Sequence, residues 1–394
     1  MASGRTNLIV RTRSFRAYLS AAGHRNLDDC FRQLTWLWNR ALCKRRQAWE
    51  RDGTPISLYD QYRELTVTRA DPEWSRFAVG VQRSALKHLD DAFGAFFRRV
   101  KAGEKPGCPR YRTERRPVRS FELTCNLPQV KHTGGRYSWI RVKGIGRIRF
   151  RGQPDGRVRA VRLVRTARRV KLQFVCELAG GFEADTRPPI GIDVGISNRV
   201  ALSDGTRLPG VRLDRRELKR RQRRLSTARK GSNNRRKRRR ELAREWQRVT
   251  DRERGLAHEL TARIVREHGA IIAIEELNIP GMVRNRRLSR WIMEQQWGRL
   301  ARQLAYKAES AGGRLVRVSA QNTSQTCSGC GRRPEARLTL AMRTFRCADC
   351  GLVLDRDMNA AINVCERAFG PLPGGDAPAG AAQEDQRLTF AASA

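Results

Sequence analysis

The chain has no apolar run of transmembrane length, and no basic amphipathic helix stands out in it. A membrane-spanning protein is thereby excluded as an expectation, and an anionic membrane surface becomes a weak explanation for the charge. Behind the charged segment Met1 to Arg13 there is no apolar stretch of the kind a secretory signal needs, so the expected location is cytoplasmic. Histidine is scarce: His24, His88, His132, His258 and His268 are the full set, and they show no paired spacing. No nucleophile with a histidine partner is in view, which argues against covalent transfer chemistry. Acidic residues are also few, 39 Asp plus Glu against 81 Lys plus Arg, for a formal net charge of +42. A compact fold with such an excess repels itself unless a polyanion neutralises it, and nucleic acid is the expected counter-charge.

The 394 residues present are enough for two or three domains with a real core. Residues 5 to 20 read as a short strand, Thr6 to Thr12, leading into a loop. From Asn26 to Arg51 the apolar positions Leu27, Phe31, Leu34, Trp38, Leu42 and Trp49 recur at helical spacing. A second helix is expected over Val79 to Lys101, with Leu86, Leu89, Phe93, Phe96, Phe97 and Val100 as its stripe. Arg98, Arg99 and Lys101 at its end suit both the helix dipole and a phosphate backbone. From Arg119 to Leu178 the period becomes two. The runs Gly144 to Phe150, Arg157 to Val164 and Val170 to Val175 alternate apolar with mostly basic residues, as in a small antiparallel barrel with an Arg-bearing face that includes Arg147 and Arg149. Residues 211 to 244 hold 17 Lys or Arg and three acids. The break Gly231-Ser232-Asn233-Asn234 divides this run into two helices, expected to face nucleic acid through Arg235, Arg236, Lys237, Arg238, Arg239 and Arg240. Gly370 to Ala394, rich in Pro, Gly and Ala, reads as a disordered tail.

Four of the ten cysteines are clustered. Cys327-x2-Cys330 and Cys347-x2-Cys350 are separated by sixteen residues, which fits a zinc knuckle pair. Two-residue spacing lets both thiolates of a knuckle reach one ion, and four thiolates close a tetrahedron with no open position for catalysis. One structural Zn2+ is expected. Arg332, Arg333, Arg337, Arg343 and Arg346 would offset its negative charge. Cys30, Cys43, Cys108, Cys125, Cys176 and Cys365 are scattered, and in a reducing compartment they are expected to be small core residues.

Three further segments each place carboxylates at a strand end or a helix start: Gly191-Ile192-Asp193-Val194-Gly195, Ala273-Ile274-Glu275-Glu276-Leu277, and Asp355-Arg356-Asp357-Met358-Asn359-Ala360-Ala361. Each has a plain reading: a turn residue for Asp193, an ion pair for Glu275, an N-cap for Asp357. Brought together they would repel one another unless metal were present. Two divalent ions, Mg2+ by preference for hard oxygen donors, would bridge them and support phosphodiester hydrolysis. Only one of Glu275 and Glu276 can face such a site, since neighbours on a strand point oppositely. Asp355 and Asp357 pose a similar choice.

These segments resemble the RuvC-type, RNase H-fold nuclease of the TnpB family, the insertion-sequence OrfB proteins related to compact type V CRISPR nucleases. The resemblance also takes in Ile274 to Met282, Thr323 to Gly331, Asp355 to Asn363, Ala92 to Val100 and Lys105 to Tyr111. It implies an RNA-guided DNA endonuclease with Asp193, Glu275 and Asp357 as catalytic, Mg2+-binding residues. The implied partners are a guide RNA from the transposon end and a double-stranded DNA target with a short flanking motif, in a prokaryotic, nucleoid-associated setting. The implied fold is multidomain α+β: a wedge-like β-barrel over 1–20 and 118–185, and a helical recognition lobe over 21–117. A RuvC-like domain follows over 186–320 and 351–369, with a basic helical insertion at 211–254 and a zinc ribbon at 321–350 that helps load the target strand. A compact type V CRISPR effector is the alternative within this class, and a nuclease-silent guided repressor is the alternative outside it.

Overall fold

The computed structural model describes residues 8–132, 134–179, 183–195, 198–209, 213–334, 338 and 342–371. The expected tail from 372 onward, Thr6 and Arg337 lie outside the described residues. The chain divides into two compact units, Met1–Gly180 with Arg224–Gln247, and Gly181–Arg223 with Arg248–Ala394.

The first unit opens with strand β1, Leu8–Tyr18. It is longer than its expected Thr6–Thr12 core because β7 (Val170–Ala179) pairs with it along ten positions and β5 (Gly146–Arg151) takes its end, at Ala17↔Phe150 and Tyr18↔Arg149. Ser20 then caps α1, Ala21–Asp52, its hydroxyl accepting from the Gly23 N–H at 3.0 Å. Leu27, Phe31, Leu34, Trp38 and Leu42 are buried as the spacing predicts. Trp49 is not: it is 65% exposed, and Ala48 faces inward instead. Positions 48 and 49 stand about 100° apart around the helix, and in these last turns the inward side is the one Ala48 occupies. Two short helices absent from the sequence expectation follow, α2 (Leu58–Thr68) and α3 (Pro72–Ser75). The first is set by a reciprocal capping box between Ser57 and Asp60.

Helix α4 spans Val79–Lys101. Its first half buries Val81, Ala85, Leu86 and Leu89, but Phe97 and Val100 are exposed because the last two turns outrun the core. The remaining strands are β2 (Ser120–Leu123), β3 (Lys131–His132), β4 (Tyr137–Val142) and β6 (Arg157–Arg165). With β1, β5 and β7 they form a seven-stranded sheet in the order β2-β6-β7-β1-β5-β4-β3. On β5 the alternation is clean, with Ile148 and Phe150 buried and Arg147, Arg149 and Arg151 exposed. The rings of Phe15, Phe150 and Phe174 pack at centroid distances of 5.1 to 5.8 Å in the core that α1 and α4 cover.

The second unit begins with β8 (Ile190–Asp193), β9 (Asn198–Leu202) and β10 (Arg207–Pro209). The basic run is two helices with a turn at Gly231, as expected: α5 (Arg216–Ser226) and α6 (Asn233–Glu267), of which Arg224–Gln247 belongs to the first unit. Helix α6 passes unbroken through position 254, the expected end of the insertion. Its later turns bury Ala257, Ile264 and Val265 in the core of this unit. Strand β11 (Ile271–Glu276), helices α7 (Ile279–Met282), α8 (Ser289–Gln295) and α9 (Trp297–Glu309), strands β12 (Arg314–Ser319), β13 (Thr344–Arg346) and β14 (Val353–Asp355), and helix α10 (Arg356–Phe369) complete it.

Five strands form a sheet in the order β10-β9-β8-β11-β12. The pairs β8–β9 and β9–β10 are antiparallel, while β11 runs parallel to both β8 and β12. One face carries Ile190, Ile192, Ile272 and Ile274 against α6 and α9. The other carries Gly191, Ala273, Val316 and Val318 toward α10. Cover on both faces is why β8 and β11 read as continuous apolar runs. Of the scattered cysteines, Cys30, Cys176 and Cys365 are buried, whereas Cys108 and Cys125 are exposed and Cys43 is half-buried; none forms a disulfide. Among the described residues no helix is long and apolar enough to cross a membrane.

Candidate active site and cysteine centre

The acidic site is built by close approach of α10 to the sheet. A Cβ on Gly191 would stand 2.0 Å from the carbonyl oxygen of Ala361 and 2.8 Å from the Cβ of Cys365. Only glycine lets the helix lie this near. With Ala273 on the neighbouring strand equally small, the first turn of α10 is drawn over the strand ends. Ile192 pairs with Ile274 in parallel register, so the next residues, Asp193 and Glu275, end adjacent strands side by side. They share the face of Gly191 and Ala273. Glu275 is partly buried there, and Glu276 is exposed on the opposite side.

Position 355 is taken by a structural task. The Asp355 carboxylate caps α10, accepting from the N–H groups of Asp357 at 2.9 Å and Met358 at 3.2 Å, and pairs with Arg207 at 3.0 Å. Asp357, two residues on, accepts from the side-chain amide of Asn198 at 3.1 Å, with an Arg343 guanidinium nitrogen 3.8 Å away. Glu275 accepts from the buried Thr323 hydroxyl. Sequence reasoning missed Asn198, Thr323 and Arg343 as partners. Thr323 sits in a motif already singled out for its resemblance, but nothing in its spacing tied it to Glu275.

The electrostatics follow from this crowding. Asp193 is held well above the ordinary carboxylate range, first by removal from water and then by the charges of Glu275 and Asp357. Glu275 is raised by burial, offset by the Thr323 hydroxyl and by Arg367. A buried carboxylate burdened by two others in this way suits a divalent cation with oxygen ligands. The three are not drawn tightly together: among the described residues, the four thiols form the one group of three or more candidate ligands whose donor atoms all lie within 4.8 Å of one another. Glu275 bonds Thr323, and Asp357 bonds Asn198 and faces Arg343.

The thiols are already arranged for a metal. The Sγ atoms of Cys327 and Cys350, and those of Cys330 and Cys347, are 3.6 Å apart. A tetrahedron with Zn–S bonds of about 2.3 Å requires ~3.8 Å between sulfurs. The two knuckles repeat one backbone design. Gly331 donates to the Cys327 carbonyl and Gly351 to that of Cys347, at 2.9 and 3.1 Å, with both glycines left-handed at φ 71° and 73°. Cys327 N–H bonds the Arg332 carbonyl as Cys347 N–H bonds that of Leu352. Arg332 reaches from one knuckle to Asp349 of the other at 2.9 Å.

The predicted basic contacts separate into two groups. Arg235 donates to the carbonyls of Leu225 and Ala228 at 2.9 and 2.6 Å, and Arg238 to that of Arg224 at 2.6 Å, so both tie off the C-terminal end of α5. Arg98, Arg99, Arg147, Arg149, Arg236, Lys237 and Arg240 are exposed and Arg239 is half-buried. Arg147 lies over the Trp139 ring at 4.4 Å and Arg149 over Tyr137 at 5.6 Å.

Comparison with known proteins places this architecture. The family model described as "Cas12f1-like, TNB domain" matches residues 297–364, and the OrfB_IS605 model, described as "Probable transposase", matches 183–286. A Streptomyces pristinaespiralis protein named "Putative RNA-guided DNA endonuclease" is 30% identical over 378 residues, covering 93% of this chain and 92% of that one. The Escherichia coli K12 protein named "Putative RNA-guided DNA endonuclease InsQ" is 27% identical over 370 residues, 86% of this chain and 88% of its own. In fold, the chain resembles the protein of a Cas12f1–sgRNA–target DNA complex, with a TM-score of 0.55 at 14% identity over 91% of this chain and 99% of that one. It is also similar to the mini-RNA-guided endonuclease CRISPR-Cas_phi3, with a TM-score of 0.52 at 9% identity over 93% of each. An alignment of 30% identity that runs nearly end to end in both proteins settles the affiliation: the chain belongs to the TnpB family, the OrfB-type proteins related to Cas12f effectors.

Proposed function

We propose that the protein is a transposon-encoded, RNA-guided DNA endonuclease whose cutting centre is Asp193, Glu275 and Asp357. The observation that carries this reading is the meeting of these three carboxylates at one sheet end, where burial and then Glu275 and Asp357 raise the cost of charging Asp193. The strand order β10-β9-β8-β11-β12, three antiparallel strands followed by two parallel ones, supports an RNase H-like domain. The seven-stranded sheet supports the wedge-like barrel, since β1 is shared between β7 and β5 around a single aromatic core. Helices α1 to α4 are assigned to the recognition lobe, and residues 321–350 to a ribbon holding one Zn2+.

Mg2+, two ions by this reading, would supply the activated water and the leaving-oxygen stabilisation of an in-line displacement. The chain's own residues prepare the place. Asp193, raised by burial and then by Glu275 and Asp357, offers oxygen ligands whose charged form a nearby cation would favour. Asn198 holds Asp357 and Thr323 holds Glu275, so that neither has to be ordered at the moment of reaction. Guide pairing supplies sequence choice while the protein reads backbone geometry. The protein works in the cytoplasm, on the DNA of the nucleoid.

The test begins with the RNA that co-purifies with the protein. A ribonucleoprotein carrying it cuts a plasmid that contains the matching target, requires Mg2+, and is inert once the RNA is removed. Target binding without any cut at saturating Mg2+ would instead establish a guided repressor.

The Arg-over-aromatic face of β4 and β5 is proposed to hold RNA, where guanidinium groups meet phosphate and rings meet bases. Binding is then steeply salt-dependent. The double substitution Arg147→Gln with Arg149→Gln lowers the slope of log affinity against log salt by about 1 for each phosphate that is no longer neutralised. An unchanged slope removes this face from the RNA path.

A further inference from the structure

Thr323 connects the two centres. Its hydroxyl donates to the Glu275 carboxylate. Its carbonyl oxygen accepts from the side-chain amide of Asn363 at 2.8 Å, and the same amide nitrogen reaches the Thr326 carbonyl at 2.7 Å. One turn earlier on α10, Asn359 donates to the Thr326 carbonyl at 2.8 Å and accepts from the Ser328 N–H at 3.0 Å. Ser328 lies inside the first cysteine knuckle. Asn359, Asn363 and Thr323 are all buried.

Residues 359 and 363 are four apart and so share one face of α10, the helix whose first turn carries Asp357. Buried amides are costly to leave unsatisfied. Both of these spend their hydrogen bonds on the segment from Thr323 to Ser328. The clamp therefore fixes three things at once: the knuckle backbone at Ser328, the carbonyls at Thr323 and Thr326, and through the Thr323 hydroxyl the orientation of Glu275. A glutamate side chain has three free torsions, and this bond restricts them from outside the acidic site.

We propose that Thr323 is a positioning residue for Glu275, and that the Asn359–Asn363 clamp makes its placement depend on the metal-bound, folded state of the cysteine centre. This rests on the reading of Glu275 as a divalent-metal ligand. Zinc at the thiolates thus acts on the carboxylate site at a distance, through a hydrogen-bonded chain of named residues rather than through contact with DNA.

The test uses the full chain with its RNA, and Mn2+ as the probe, its binding followed by calorimetry. Thr323→Val keeps the shape and removes the hydroxyl. It is expected to weaken Mn2+ binding about 10-fold, the effect of one lost hydrogen bond to a charged group, with zinc content and target-DNA binding at wild-type values. Thr323→Ser restores the affinity to within about three-fold of wild type, as returning the hydroxyl should. The zinc-free Cys347→Ser variant shows the same weakened Mn2+ binding, and combining it with Thr323→Val adds nothing further. Wild-type Mn2+ affinity in Thr323→Val, or no recovery in Thr323→Ser, overturns the role of Thr323. Losses that multiply in the double variant overturn the coupling. A wild-type protein that binds Mn2+ in this pattern yet never cuts DNA would defeat the nuclease reading and leave the coupling standing.

Discussion

Asp193→Ala is expected to lower DNA cleavage by at least ~10³-fold, while guide RNA and target DNA remain bound at wild-type affinity. A loss of that size corresponds to about 4 kcal/mol of barrier, within what metal-assisted charge stabilisation supplies. Nucleic-acid binding survives because the basic faces lie on other elements and Asp193 contributes no positive charge. Cleavage at the wild-type rate in this variant refutes the assignment.

The same position predicts a stability effect of opposite sign. The folded-state pKa of Asp193 is raised, chiefly by burial and then by Glu275 and Asp357. A raised carboxylate contributes nothing unfavourable below its unfolded value, where it is protonated in both states. It costs stability progressively as pH rises through the folded pKa. In metal-free protein, Asp193→Asn should therefore melt at the same temperature as wild type in acid and at a higher one at neutral pH. The difference is about 2–4 °C for each kcal/mol of relieved repulsion. Adding Mg2+ should reverse the ranking, since a ligand stabilises only the protein that binds it. Equal melting temperatures across pH would mean that neither burial nor the neighbouring carboxylates burden the charged form of Asp193.

The second large effect is expected at the cysteine centre. Cys347→Ser should take zinc from one ion per chain to near none and lower thermal stability with it. The reason is the size of what the metal holds. The ribbon core consists of Cys327, Phe345 and Cys347, with Leu338 and Leu352 against it. Its only sheet among the described residues is the pair β13 and β14, three residues each. A two-stranded hairpin with one buried phenylalanine cannot offset its own chain entropy, so the metal must supply the difference. Structural zinc sites contribute about 10–16 kcal/mol of apparent binding energy, nearly all of it folding energy. Full zinc occupancy in Cys347→Ser would mean that the ligand set is misassigned.

How much of this was legible beforehand depended on the range over which each signal acts. The span of α4 and the alternation along β5 could be read directly, because periodicity is local. The knuckles could be read because two-residue spacing fixes their geometry. Strand alternation allowed only one of Glu275 and Glu276 to face the site and the family resemblance pointed to Glu275, which is partly buried beside an exposed Glu276. The pair Asp355 and Asp357 could not be separated by spacing, since either could cap a helix. The family resemblance favoured Asp357, and the observed bonds to two backbone N–H groups give Asp355 a capping task. Asn198 and Thr323 were invisible for a different reason: their partners lie 159 and 48 positions away, and no local pattern encodes such a meeting. The exposed Trp49 and Phe97 show the reverse limit, where a helical stripe persists in sequence beyond the surface it packs on.

One consequence of α10 concerns the birth of the protein rather than its action. Asp193 and Glu275 leave the ribosome on β8 and β11, but Asp357 arrives only with the last helix described. At about 5–20 residues per second, the stretch from Glu275 to Asp357 takes roughly 4–16 s to synthesise. Throughout that interval the nascent chain already carries its Arg-rich helices, yet the proposed cutting centre is one carboxylate short. With Asp357 in the proposed centre, a message that stops between the basic helices and that codon yields a chain that keeps its Arg-rich helices and lacks one proposed metal ligand.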